Sequence, residues 1–256
     1  MRRRFAKLAG LTVALAIGVG ATTASGIEAC IGPLCVSSTV NMQPRELPAK
    51  GNAPITLESI TRIRTKGGVT PPTLESIKFL IDKHGTINSK VFPVCKPAQL
   101  EGTTPQQARK RCASALVGKG NGSALVTMPG KDPFTIKSPL SFFNAPPTGG
   151  KPTLIAHAYE TVPVAQALLV PIVIEKVSRG RYGFQVQVEM PEVAGGYGAP
   201  TLAEATVGAT RTSKGKKTGF INAHCSGGRL QVEGTLSFTN GDRFPTTLTS
   251  PCHTPG

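Results

Sequence analysis

The segment that most strongly suggests a specific chemistry is IDKHGTIN, residues 81–88, which resembles the start of a calcium-binding loop. Such a loop needs acidic oxygens at alternate positions and a closing bidentate glutamate within twelve residues. After Asp82 the next candidate ligands are His84, Thr86 and Asn88, and no glutamate follows within that span. The pattern therefore predicts a turn in which the Asp82 side chain caps backbone amides, and we assign no metal ligand here.

Two adjacent pairs, His224-Cys225 and Cys252-His253, offer the two nitrogens and two sulfurs of a zinc site. Adjacent residues on a strand point to opposite faces of a sheet, so neither pair can readily converge on one ion. We therefore interpret the two cysteines as disulfide partners and assign no metal to them.

His157 and Glu160, in the segment LIAHAYE, are the best remaining pair for general acid–base chemistry. On a strand, His157 shares a face with Ile155 and Tyr159, whereas Glu160 points to the other face. The pattern favours a hydrogen-bonded histidine of the core or of a sheet edge.

Short matches to known catalytic signatures do not form a catalytic site. SKGK and KTG resemble two penicillin-recognising motifs, but they abut each other within residues 213–219, whereas those motifs lie on separate elements in the enzymes. GNGSA lacks the last glycine of a nucleophile elbow, and TGGKP lacks residues of a phosphate loop. We assign no catalytic residue and no cofactor.

The N-terminus has the pattern of a secretory signal peptide. The basic segment MRRRFAK precedes an apolar run over residues 8–21, and small residues follow it. We assign residues 1–26 to a signal peptide, 27–50 to an extended N-terminal segment and 51–256 to a single β-rich domain. The apolar run is too short to span a bilayer comfortably, so the expected location is secreted or in the cell envelope, without a membrane span after signal removal.

Six cysteines follow the signal, which indicates a disulfide set in an exported chain. Six cysteines allow fifteen connectivities, but local geometry favours sequential pairing. The expected bridges are Cys95 with Cys112 and Cys225 with Cys252, and Cys30 joins Cys35 if the cleavage site leaves both in place.

The mature chain is predicted to be all-β, an antiparallel β-sandwich or open barrel with one short helix and stabilising disulfides. The helix is expected at about residues 104–116, where a threonine cap precedes a proline and good helix formers. Alternating or β-branched segments predict strands elsewhere. The clearest are 153–161, 164–175 and 182–190, and a meander formed by 218–225, 229–238 and 243–250.

Two local patterns add detail. Asn240-Gly241 predicts a type I′ hairpin turn. The pentapeptide TLESI occurs at residues 56–60 and 73–77, and we interpret the two copies as neighbouring strands.

The chain is strongly basic, with a formal net charge of +15. Removing the four basic residues of the signal peptide leaves 25 basic and 14 acidic residues, about +11. Such a surface attracts anionic polymers, and the expected partner is an anionic polymer of the cell envelope. Tryptophan is absent and aromatic residues are few, so no stacking platform for specific nucleic-acid binding is visible. The candidate polyanion-binding residues are Arg109, Lys110, Arg111, Arg211, Lys214, Lys216 and Lys217.

The stretches IDKHGTIN, FPVCKPAQL, ARKRCASALVGKG and PEVAGGYG together resemble a family of exported actinobacterial proteins to which no function is assigned. The resemblance extends from about residue 45 to the C-terminus and leaves Cys30 and Cys35 outside it. It implies an exported single domain, and it implies no activity and no site residues.

Two functional hypotheses follow. The first is a non-enzymatic envelope or extracellular module, binding or structural, with a basic surface. The second is an exported hydrolase whose site is assembled from distant residues such as Asp82, His84, His157 and Glu160. A cleft with converging titratable groups would favour the enzyme, whereas a flat or merely basic surface would favour the module.

Overall fold

The computed structural model describes residues 25–213 and 215–256, and strands dominate this part of the chain. The first eight strands are β1 (Ser25–Ile31), β2 (Leu34–Gln43), β3 (Ala53–Thr65), β4 (Leu74–Asp82), β5 (Gly85–Ile87), β6 (Leu116–Val126), β7 (Phe134–Thr148) and β8 (Lys151–Glu160). They are followed by β9 (Gln166–Arg179), β10 (Tyr182–Glu189), β11 (Gly198–Val207), β12 (Thr210–Ser213), β13 (Lys216–Gly219), β14 (Ile221–Ala223), β15 (Arg229–Phe238) and β16 (Arg243–Pro251). The predicted signal peptide lies outside the described residues except for Ser25 and Gly26, as does Lys214.

One long antiparallel sheet contains most of these strands, in the order β1-β2-β3-β11-β6-β7-β8-β9-β10-β4-β15-β16, with β14 and β5 branching from β3. Strands β12 and β13 form a separate hairpin. The sheet curls so far that its two ends approach each other, which confirms the predicted all-β fold as an open barrel. Residues 27–50 contribute most of β1 and all of β2, and β2 pairs with β3 along its whole length.

Alternation of side chains directs one face of the sheet inward. In β15, for example, Leu230, Val232, Leu236 and Phe238 are buried at every second position, while Gln231 and the other intervening residues are more exposed. Because a strand turns successive side chains to opposite faces, this pattern produces a continuous apolar inner surface.

The barrel has two ends, which we name by their turns. The upper end carries the turns between β1 and β2, β3 and β4, β6 and β7, β8 and β9, β10 and β11, and β15 and β16. The lower end carries the opposite turns, together with β5, β14 and the β12–β13 hairpin.

A seam without a regular ladder separates β1 and β2 from β16. Its lower part is closed by a bridge between Glu46 and His253, and by a hydrogen bond of 2.9 Å from Leu47 N to His253 O. The Cys225–Cys252 disulfide lies beside it and belongs to an apolar cluster built from both sides of the seam. The lower seam is therefore held covalently as well as by hydrogen bonds.

Close packing of β6 against β11 depends on glycine. A Cβ atom on Gly120 would lie 1.8 Å from the carbonyl oxygen of Glu204, and one on Gly118 would lie 2.7 Å from that of Thr206. Only residues without side chains permit the two backbones to approach this closely.

The segment between β5 and β6 covers the outer face of β7 and β8 and contains the helix α1 (Pro105–Arg111). We call it the α1 segment. The predicted cap is confirmed, because Thr104 Oγ1 accepts from Gln107 N at 3.4 Å and the Gln107 side chain accepts from Thr104 N at 3.0 Å. The helix is shorter than predicted, since a 3-10 turn (Ala113–Ala115) follows it. Within the described residues, no helix has the length and apolarity to cross a membrane.

All three sequential disulfides are present: Cys30–Cys35, Cys95–Cys112 and Cys225–Cys252. The second clamps the end of the α1 segment within an apolar cluster on the outer face of β7 and β8. Disulfides persist in oxidising compartments, so the bridges indicate an environment other than the cytoplasm.

Three local predictions are wrong. The predicted three-strand meander is interrupted, because β14 pairs with β3 and β5 and only β15 and β16 form a hairpin. In that hairpin Gly241 has a φ of 88°, but Asn240 lacks the positive φ that a type I′ turn needs. The two TLESI segments lie in β3 and β4, which are consecutive in the chain but pair with different strands.

The bridge at the lower seam should contribute measurably to stability. Replacing Cys225 and Cys252 together by alanine should lower the free energy of unfolding by about 2–4 kcal/mol, because the bridge closes a loop across the seam. Chemical unfolding of the oxidised protein and the variant measures this difference. The matched control replaces Cys30 and Cys35, which join two adjacent strands five positions apart. An equal loss in both variants would contradict a special role of the seam.

Candidate functional site

The inner face of the barrel surrounds a partly open cavity of about 290 Å³. This volume is near the lower limit of typical small-molecule sites, which are concave and mainly apolar. The wall includes residues from both sides of the barrel, and the central ones are aliphatic or aromatic: Ile77, Phe79, Leu140, Val170, Ile172 and Val188.

The wall of the cavity has one polar band in its upper half. Strand register places Thr61 and Ser138 at the same level of the inner face. Across the intervening strands, Thr61 pairs with Ala203, Ala203 with Gly122, and Gly122 with Ser138. Two inward positions further down the sheet, β7 and β8 carry Phe142 and Ala156. A molecule inside would therefore meet hydroxyl groups at the level of Thr61 and Ser138, and apolar walls both below this level and above it, where Ile63 and Ile136 line the cavity.

Glu160 is the acidic group of this polar band and is only 3% exposed. Its Oε2 accepts a hydrogen bond of 2.8 Å from Ala194 N, and Gln166 Nε2 donates to its Oε1. Ala194 belongs to the turn between β10 and β11, where Pro191 and Val193 line the cavity. The Glu160 carboxylate thus holds this turn in place beside the upper part of the cavity.

The remaining titratable residues of the wall lie at outward positions of their strands. Glu204 accepts from Asn121 at 3.4 Å and lies 3.8 Å from Arg62, on the outer face. By alternation from inward neighbours, Lys137 and Tyr159 are also outward. In the described part of the wall Glu160 therefore stands alone as an inward acid, without a partner for acid–base chemistry.

His157 is fully buried on the outer face of β8, beneath the α1 segment. Its Nε2 lies 3.0 Å from Thr103 O, to which it donates, and 3.1 Å from Thr103 Oγ1. Burial lowers the pKa of His157, and the hydrogen bond to Thr103 only partly opposes this effect. The prediction of a hydrogen-bonded core histidine is confirmed, and its role is to fasten the α1 segment to the barrel.

The four residues of the hydrolase hypothesis do not converge. His157 faces outward and Glu160 faces inward, as their strand spacing predicted. Asp82 and His84 lie together at the lower end, on the turn between β4 and β5. The structure thus brings two of the four residues into contact.

The predicted turn at residues 81–88 is confirmed. Asp82 is 2% exposed, and its Oδ1 accepts from His84 N at 3.1 Å. The same oxygen accepts from His84 Nδ1 at 2.6 Å, while its Oδ2 accepts from Arg181 Nε at 2.7 Å and from Gln231 N at 3.2 Å. Asp82 therefore joins three segments at the lower end: its own turn, the turn between β9 and β10, and β15.

The candidate polyanion-binding residues occupy two elements. Arg109, Lys110 and Arg111 end α1, where Arg109 Nε donates to Ser141 Oγ at 3.0 Å. The other described members are exposed on the β12–β13 hairpin: Arg211, Lys216 and Lys217. The shallow depression beside Arg109 also contains Glu58 and Glu204, so the hairpin is the more purely basic of the two elements.

No protein-family model, curated protein or solved structure matches this chain. The interpretation of the site therefore depends on its geometry.

Sequence reasoning missed the cavity. The signal was present as small residues at inward positions of β6, β8 and β11, among them Gly122, Ala158 and Ala205. Short side chains on one face leave space inside a barrel, but this can be recognised only when strand register and closure are known.

His157 should make the folded protein sensitive to acid. Its pKa is lowered on folding from the ordinary 6.5, so the unfolded chain takes up a proton first as the pH falls. The contribution of the neutral His157 to the free energy of unfolding is therefore fully present above about pH 6.5. It decreases below this pH until His157 of the folded state also becomes protonated. Unfolding experiments at about pH 8 and about pH 5 should show a smaller loss in His157→Gln than in the unmodified protein.

The matched control for this measurement is His253→Gln, because His253 is exposed at the lower end of the barrel. It should retain the acid sensitivity of the unmodified protein. If His157→Gln retains it as well, the buried histidine does not cause the effect.

Proposed function

We propose that this protein is an exported, non-enzymatic binding module that holds a small, largely apolar molecule inside its barrel. The observation that carries the proposal is the partly open cavity of about 290 Å³ with aliphatic and aromatic walls. Burial of apolar ligand surface in such a cavity is favourable by roughly 25 cal/mol per Å² of area removed from water. A barrel interior lined in this manner is a common type of site for one small ligand.

The polarity of the wall favours an amphiphile with one polar group. Its apolar part would pack among residues such as Phe79 and Ile172, and its polar group would lie near Thr61, Ser138 and Glu160. Because Glu160 already accepts two hydrogen bonds, it suits a ligand group that donates, such as a hydroxyl or an amine.

Export is supported by two independent observations. The N-terminal sequence has a signal-peptide pattern, and three disulfides join all six cysteines. Disulfides of this kind form outside reducing compartments. The proposed location is therefore secreted or in the cell envelope, in agreement with the resemblance to exported actinobacterial proteins.

Ligand binding can be tested by filling the cavity. A fluorescent long-chain amine with an apolar reporter group should bind the mature protein saturably at one site. Ala158→Phe should weaken this binding at least tenfold, because the new ring occupies the space that the ligand needs. Fluorescence titration gives both dissociation constants.

The matched control is Ala167→Phe, which adds the same ring to the outward position beside Tyr159 in the neighbouring strand. This variant should bind within about twofold of the unmodified protein, since its outward position leaves the cavity unfilled. Absence of saturable binding to the unmodified protein, or equal binding to Ala158→Phe, would disprove the proposal.

A second function, attachment to an anionic envelope polymer, is supported by the distribution of charge. Turns at the lower end contain Lys83, Lys151 and Arg181, in addition to the basic β12–β13 hairpin. Turns at the upper end contain both signs, with Asp132 and Glu192 beside Lys66 and Lys131. This asymmetry would direct a polyanion to the lower end.

Retention on an immobilised teichoic-type polymer tests the attachment. Lys216→Ala with Lys217→Ala should elute at clearly lower salt, because fewer counterions are released on binding. The matched control is Lys66→Ala with Lys131→Ala, which removes the same charge from turns at the upper end. Equal shifts in both variants would show a general charge effect, and no retention at low salt would exclude attachment.

A further inference from the structure

Two histidines that are distant in the sequence lie side by side at the lower end of the barrel. Ala223 of β14 pairs with Gly85 of β5, and the next position aligns His224 with His84. The contact continues with a hydrogen bond of 3.1 Å from His224 N to His84 O. The two imidazole rings have centroids 4.9 Å apart and an interplanar angle of 82°.

Each ring is anchored through its Nδ1 atom to an oxygen acceptor. His84 Nδ1 lies 2.6 Å from Asp82 Oδ1, and His224 Nδ1 lies 2.7 Å from Asn52 Oδ1. Since a carboxylate and an amide oxygen can only accept, Nδ1 carries the hydrogen in both rings. In the neutral rings, both Nε2 atoms are then left with a free lone pair.

The acceptors are themselves held in place. Arg181 Nε donates to the other oxygen of Asp82 at 2.7 Å. Asn52 Nδ2 donates to Thr86 Oγ1 at 3.3 Å, which orients the amide so that its oxygen faces His224. Metal-binding histidines usually have this arrangement, in which an outer hydrogen bond fixes the tautomer and the ring orientation.

Both Nε2 atoms are available to a ligand. Neither makes a hydrogen bond to any residue in the described ranges, and both side chains are partly exposed, with His84 at 20%. A pair of oriented imidazole nitrogens beside solvent is a donor set for a metal ion.

We propose that His84 and His224 bind one divalent transition-metal ion of the zinc or copper class through their Nε2 atoms, with water completing the coordination. Zinc–nitrogen bonds of 2.0–2.1 Å at a tetrahedral angle require the two Nε2 atoms to lie roughly 3.3 Å apart, a separation that rings with centroids 4.9 Å apart can reach. Calcium and magnesium prefer oxygen ligands, so the site discriminates against them.

The proposal changes the interpretation of two sequence patterns. Residues 81–88 contribute a nitrogen ligand and its orienting carboxylate, although they do not form a calcium loop. The zinc site once considered at His224 with Cys225 is excluded, because Cys225 is joined to Cys252. The second ligand is instead His84 from the turn between β4 and β5, which the pairing of β5 with β14 brings into contact with His224.

Calorimetric titration of the untagged mature protein with zinc chloride and copper chloride tests the site. We expect one ion per chain and no saturable binding of calcium or magnesium. His224→Gln and His84→Gln should each weaken binding at least tenfold. Asn52→Ala should weaken it by about tenfold while leaving both ligands in place, because orienting partners typically contribute 10- to 100-fold.

The matched control is His253→Gln, which removes a histidine that lies outside the His84–His224 pair and faces Glu46 at 3.9 Å. It should bind as the unmodified protein does. Circular dichroism checks that each variant is folded, and the solvent-accessible Asn52 variant keeps the test valid if His84→Gln does not fold. The copper complex should also show nitrogen coupling from two imidazoles in electron paramagnetic resonance. Absence of one-ion binding, or equal binding in folded His224→Gln, would overturn the proposal.

Discussion

Closure of the seam between β2 and β16 is the constraint on which the rest of the structure depends. A single antiparallel sheet buries its apolar face only if it curls until its ends meet, because no second layer covers most of that face. The contacts of residues 45–47 with His253, together with the Cys225–Cys252 bridge, hold the ends together at the lower seam. Without them the apolar face, including the walls of the cavity, would be exposed to water at considerable cost in free energy.

The closed barrel separates three kinds of chemistry in space. The apolar interior can accommodate a ligand, with Glu160 near its upper end. The outer face of β8 is occupied by the α1 segment and fastened through buried His157. The lower end contains the oriented histidines and most of the basic turns. Strand alternation alone separates the interior of the barrel from the outer face of β8, since His157 and Glu160 are only three positions apart and face opposite sides.

Features determined by neighbouring residues could be predicted from the sequence. The Asp82 turn, the Thr104 cap and the face assignments of His157 and Glu160 depend on contacts within a few positions. Pairing between distant strands could not be predicted, because apolar alternation specifies a face without specifying a neighbour. For this reason the meander and the TLESI assignments are wrong, and the cavity and the His84–His224 contact were missed. Cys30–Cys35 and Cys95–Cys112 join segments that are close in the sequence, so local geometry was sufficient to predict them. Cys225–Cys252 is also correct, although it joins two sides of the seam and not two ends of a meander.

The uneven distribution of charge along the barrel has a consequence for orientation. Basic residues are concentrated in the lower turns, whereas the upper turns contain both signs of charge, such as Lys131 and Asp132, so the molecule has an electric dipole roughly parallel to its strands. In the field of a polyanionic surface, such a dipole rotates the protein during approach, so that the lower end arrives first. The upper end would then face the surrounding medium. In a molecule attached in this manner, the Glu160 level of the cavity lies on the side away from the support.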